Sequence, residues 1–152
     1  MIPDELTTLV TILNHRAQVA FRLRELARQL EERADLHDLS KFKPDEFAGF
    51  VQINQIARKY PYGSPEYMES IKGNDVVNLH FSRNSHHPEY HPGQVNDMGL
   101  IDFIEMVTDW LGATTTYGTG TFRDALNKQI ERFHLTPEQL FLIDLIARYF
   151  SE

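Results

Sequence analysis

His37 and Asp38 stand side by side in the run RADLHDLSKFKPDEF, which extends from Arg33 to Phe47, and Lys41 follows the pair by three residues. An imidazole and a carboxylate from adjacent positions suit a borderline or hard divalent metal, and the lysine adds a cation that can meet a phosphate. A bound metal with an open position makes water a nucleophile near neutral pH. The segment points to hydrolysis at phosphorus.

Further donors follow along the chain. Six of the seven histidines, His15, His37, His80, His86, His87 and His91, lie in the first 91 residues. Glu105 and Asp109 are spaced i, i+4, so on a helix both carboxylates share one face. His80 and Asn84 have the same spacing and can present a ligand and an amide to one cavity. His86 and His87 are adjacent, and in an extended loop consecutive side chains point in opposite directions. One of them is therefore expected to reach the metal or a phosphate, and the other to pack or hydrogen-bond. His91 and His134 are read as structural, and the glycines of TYGTGT as a turn.

The order His15, His37-Asp38, His80, His86/His87, Asp109 resembles that of the HD phosphohydrolase superfamily. More narrowly, HDLSKFKPDEF, NLHFSRNSHHPEY and MGLIDFIEMVTDW are similar to three blocks of a small family of phage and bacterial proteins of unassigned function. The resemblance spans His15 to about Phe133. It departs after Trp110, where LGATTTYGTG stands in place of small and basic residues. It implies an all-α, HD-domain-like helical bundle with a divalent metal (Mn, Co, Mg, Zn or Fe) held by His15, His37, Asp38 and Asp109. A second ion bound through His80 and His86 or His87 would share Asp38.

In that reading Lys41 stabilises phosphate oxygens, and Glu105 acts as a base or as the acceptor that orients a histidine. Arg83, Asn84 and His87 join Lys41 in binding substrate. Some nucleotide-cleaving HD enzymes carry a glutamate where this chain has Lys41, so the substrate class is a nucleotide or another small phosphate ester. Two alternatives stand beside it. One is a helical binding or adaptor protein with a structural metal, and the other is an HD-type di-iron oxygenase.

Composition fits a compact enzyme. The 152 residues are read as one domain, 1–152, with 41% hydrophobic and 24% charged residues. Cysteine is absent, which excludes disulfides, thiolate metal sites and a cysteine nucleophile. A net charge of −7 without a basic run argues against polymeric nucleic acid as a partner. It leaves room for a small phosphorylated substrate, because bound cations reverse the local charge. No run approaches the roughly 20 apolar residues of a membrane span, and MIPDELTT does not resemble a signal peptide, so a cytoplasmic protein is expected. Homo-oligomerisation is compatible with all of this.

These donors must be positioned by helices. Leu6, Leu9, Val10, Leu13, Ala17, Val19, Ala20, Leu23 and Leu26 recur at three- and four-residue steps, which predicts a helix from about Asp4 to at least Leu26. A reversal between about Leu26 and Glu32 is expected next, because His15 can reach the HD pair only if the chain turns back. Pro44 opens a helix to about Lys59, and Ser64 caps another after the PYGSPEY loop. Helices are expected from about Asn74 to Asn84, Asp97 to Ala113, Phe122 to Phe133 and Pro137 to Tyr149, with Thr136 and Gln139 forming a capping box at the last.

Overall fold

The computed structural model describes residues 3–60, 64–72, 74–117 and 121–150. The fold is all-α, with seven α-helices, three short 3-10 turns and no strand among the described residues. No helix among them is long and apolar enough to cross a membrane. The glycine turn at Gly118 and Gly120, and Pro61 to Gly63 of the expected loop, lie outside the described residues. Packing divides the chain into two compact units, Met1–His37 and Asp38–Glu152.

The first unit is one helix, α1 (Pro3–Leu36). The expected reversal between Leu26 and Glu32 is not there. Residues 21–36 contain no Gly or Pro and are rich in Leu, Arg, Glu, Ala and Gln, all strong helix formers. Arg28 reinforces this stretch by bridging Glu25 at 2.7 Å and Glu32 at 3.1 Å, one turn to either side.

In the second unit a 3-10 turn (Leu39–Phe42) leads into α2 (Pro44–Ala57), which starts at its proline as expected. Ser64 caps α3 (Pro65–Ile71) by accepting from the Tyr67 N–H, and Asn74 caps α4 (Asp75–Arg83) by accepting from the Val76 N–H. α5 (Leu100–Tyr117) begins three residues later than the sequence suggested, because Gln94–Asp97 forms a separate 3-10 turn. α6 (Phe122–Phe133) and α7 (Pro137–Phe150) match their expected bounds closely. The Thr136–Gln139 capping box is present, and a second box at Thr121–Asp124 was not anticipated.

α5 packs against α6 and α7 around Val95, Phe103, Met106, Val107, Phe133, Leu135 and Ile143. Trp110 and Phe133 stack nearly parallel, 6.4 Å between ring centres. α2 packs against α4 at Gly49, where an added Cβ would lie 2.2 Å from Val76 Cγ2. That branched side chain is stiff and cannot swing aside. Gly49→Ala should therefore lower stability by a net 1–2 kcal/mol or so, since overpacking costs about 1–3 and the helix gains at most about 1 from losing glycine. A melting temperature at or above the parent's would show that α2 and α4 do not meet this closely.

Candidate metal centre

Asp38 opens the second unit in the left-handed conformation, with φ at 58°. Asp tolerates this region better than most residues, at some cost in strain. Its carboxylate is divided between two tasks. Oδ2 accepts from Lys41 Nζ at 2.5 Å, while Oδ1 faces His80 Nε2 at 3.1 Å and His86 Nε2 at 3.5 Å.

His80 comes from the middle of α4 and is 2% exposed. Its orientation is fixed from behind. Nδ1 lies 3.0 Å from Oε2 of Glu46, a fully buried carboxylate on α2. Ser40 Oγ donates to the same oxygen at 2.9 Å, and Arg83 donates to Oε1 at 2.8 Å. Burial pushes the Glu46 carboxyl upward, but the hydrogen bonds from Arg83, Ser40 and His80 outweigh it and hold the group below its ordinary value. Glu46 is thus placed to accept from Nδ1 of His80, whose Nε2 is turned toward Asp38.

His86 repeats the arrangement from the loop after α4. Its Nδ1 lies 3.1 Å from Oε1 of Glu105, an 8% exposed carboxylate on α5, and its Nε2 is turned to Asp38. A carboxylate behind a histidine is the usual way in which a metal-ligating imidazole is held in one tautomer. Glu105 therefore orients His86.

The chain bends through residues 85–87 instead of running extended, so His86 and His87 lie on the same side, 4.2 Å between ring centres. The expected division into one site histidine and one packing histidine does not hold. Burial, followed by the neighbouring His86 and His80, pulls the His87 imidazole down to about 2. It stays neutral at any physiological pH and keeps its lone pair. Asp38, His80, His86 and His87 each offer one donor atom, all within 4.8 Å of one another. The Nε2 atoms of His80 and His87 are buried without a hydrogen bond, a costly condition that a bound ion would relieve. Three imidazoles and a carboxylate fit a borderline divalent metal.

Of the remaining residues singled out in the sequence, His15 takes a different place. His15 stands on the unbroken α1, 22 residues before His37, which is roughly 33 Å of helix rise. The two cannot share an ion within one chain, and His15 leaves the ligand set. His37 is the last residue of the first unit, its N–H bonded to the Arg33 carbonyl. Asp109 is half-buried on α5. Arg83 and Asn84, expected to bind substrate, are engaged elsewhere. Arg83 bridges Asp45 at 2.6 Å as well as Glu46, and the Asn84 amide donates to Ser40 Oγ and the His80 carbonyl, each at 2.8 Å. Both brace the back of His80. His91 closes the loop on the Ser85 carbonyl at 2.7 Å.

Sequence reasoning missed Ser40 and Glu46. A glutamate in the first turn after Pro44 reads as an ordinary partner for the helix dipole, and nothing local shows that it is buried. A cavity of about 150 Å³ lies between α5, α6 and the histidine loop. His87 and Asp109 line it, together with the aromatic rings of Phe81, Trp110 and Phe133 and the cations Lys128 and Arg132. Arg132 also pairs with Glu89 and sits 4.9 Å over the Phe133 ring.

No curated protein and no solved structure matches the chain. Residues 4–144 match a family of unknown function, DUF5662, and with nearly the whole length covered the protein belongs to that family.

Proposed function

We propose that this protein is a metal-dependent phosphohydrolase of the HD type, acting on a nucleotide or another small phosphate ester. The observation that carries the reading is the position of His87. It belongs to the Asp38, His80, His86 and His87 group and also lines the cavity that holds Lys128 and Arg132. A divalent metal at the four donors would supply Lewis acidity, lowering the pKa of a water and neutralising charge at phosphorus. Lys128 and Arg132 offer positive charge to a phosphate, and Phe81, Trp110 and Phe133 offer apolar walls to the rest of the molecule. Lys41, locked to the outer oxygen of Asp38, adds a positive charge beside the ligands without competing for the metal while protonated.

Metal analysis of the purified protein, together with phosphate release from a panel of nucleoside mono-, di- and triphosphates, tests the proposal. A bound divalent ion and chelator-sensitive release are expected; a protein that takes up no metal ends it. A second reading is a binding protein with a structural ion, because four protein donors this close can close a tetrahedral site. Lys41→Ala separates the two. For the hydrolase, metal stoichiometry stays and turnover falls by roughly 10², the usual effect of losing one electrostatic stabiliser. Equal turnover by parent and variant takes Lys41 out of the mechanism.

A further inference from the structure

None of the described residues of α1 is buried, although the helix is 34 residues long and rich in leucine. Leu6, Leu9, Val10, Ile12, Leu13, Val19 and Leu23 are each between 42% and 62% exposed. Their spacing is informative. Leu6, Leu9, Leu13, Arg16, Ala20, Leu23, Ala27, Leu30 and Ala34 follow one another at alternating steps of three and four. This is a 3.5-residue repeat sustained over four heptads, and Arg16 is the one polar member. A strict heptad keeps one face toward a partner only if two helices supercoil.

The polar side chains of α1 mark the opposite face. Thr7, Thr8 and Thr11 donate to carbonyls of their own helix. Gln18 pairs with Arg22, and Glu25 with Arg28 and Gln29. Every one of these residues occupies a position that faces away from the seam. Val10, Ile12, Ala17, Val19 and Leu26 flank the seam and widen it. The seven exposed side chains offer apolar area on the order of the ~800 Å² per partner that a standard interface buries.

We infer that α1 pairs with α1 of a second copy of this chain as an antiparallel coiled coil, making the protein a dimer. The orientation follows from the residues on the seam. A parallel pair would set Arg16 against Arg16 in the core, and Ala20, Ala27 and Ala34 against themselves, leaving gaps. An antiparallel pair sets Leu6 against Leu30, Leu9 against Ala27, Leu13 against Leu23 and Arg16 against Ala20. Large meets small or leucine meets leucine in each layer. Ala20 leaves room for the Arg16 stem, so its guanidinium can reach solvent. The same register lays the acidic first turn, Asp4 and Glu5, beside the last turn of the second copy, which carries Arg33.

Light scattering of the full chain after gel filtration should give twice the 17.7 kDa chain mass. Leu13→Asp should give the single-chain mass with unchanged helical circular dichroism, whereas Phe21→Ser, off the seam, should remain a dimer. The chain has no native cysteine, so disulfides report the direction cleanly. In the antiparallel pair two copies of residue 9 lie about 27 Å apart, 18 residues of helix rise. Leu9→Cys alone should form no interchain disulfide, but mixed with Ala27→Cys it should cross-link. A parent that is monomeric at every concentration overturns the dimer, and self-cross-linking of Leu9→Cys overturns the antiparallel arrangement. Both readings stand even if Leu13→Asp fails to fold.

Discussion

Asp38→Asn is expected to lose metal binding and the proposed phosphohydrolase activity together while keeping the helical fold. The carboxylate is the one anionic donor of the four and lies between the two imidazoles that carboxylates hold from behind. Removing an outer partner of a metal ligand already costs 10- to 100-fold in affinity, so removing the ligand's charge should cost more than about 100-fold. Asparagine is a cleaner probe than alanine. The residue has a φ of 58°, and asparagine accepts that conformation, whereas alanine would add strain of about 1–2 kcal/mol and confuse a folding defect with a binding defect. The measurement is metal content by mass spectrometry beside far-UV circular dichroism. A variant that keeps its metal would remove Asp38 from the site, and the assignment of the four donors with it.

The helices were legible in the sequence because each carries its own punctuation. Pro44, Ser64, Asn74 and the Thr136–Gln139 pair all mark helix starts, and the structure uses each of them. The reversal after Leu26 was inferred from a functional need instead of from a breaker residue, and there the local helix formers prevailed. The donors were legible as residue types. So was the set of Asp38, His80 and one of His86 or His87 around one ion; that both His86 and His87 join it was not, since they converge only through a bend at residues 85–87 that periodicity cannot show. Glu46 and Arg83 illustrate the remaining limit. They are 37 residues apart in sequence and meet at 2.8 Å through the packing of α2 on α4, a contact that depends on Gly49. A charged residue that is buried because another segment covers it leaves no local pattern.

Glu46 carries the second large effect. Its fully buried carboxylate accepts from Ser40, His80 and Arg83, so it neutralises one cation and fixes one ligand at once. Glu46→Ala would strand the Arg83 charge and the His80 Nδ1–H, and would leave a space where the side chain was. Breaking a buried pair from one side costs about 3–5 kcal/mol. For a chain of this length that corresponds to a fall in melting temperature of roughly 10 °C or more. Because a loss of that size confuses a folding defect with a binding defect, Glu46→Gln isolates the functional part. Its amide oxygen still accepts from His80 or Ser40, but the charge that orients and polarises the imidazole is gone. Metal affinity should then fall by 10- to 100-fold at near-parent helix content. If Glu46→Gln instead binds metal as tightly as the parent, His80 does not depend on Glu46 for its orientation, and the buried network serves stability alone.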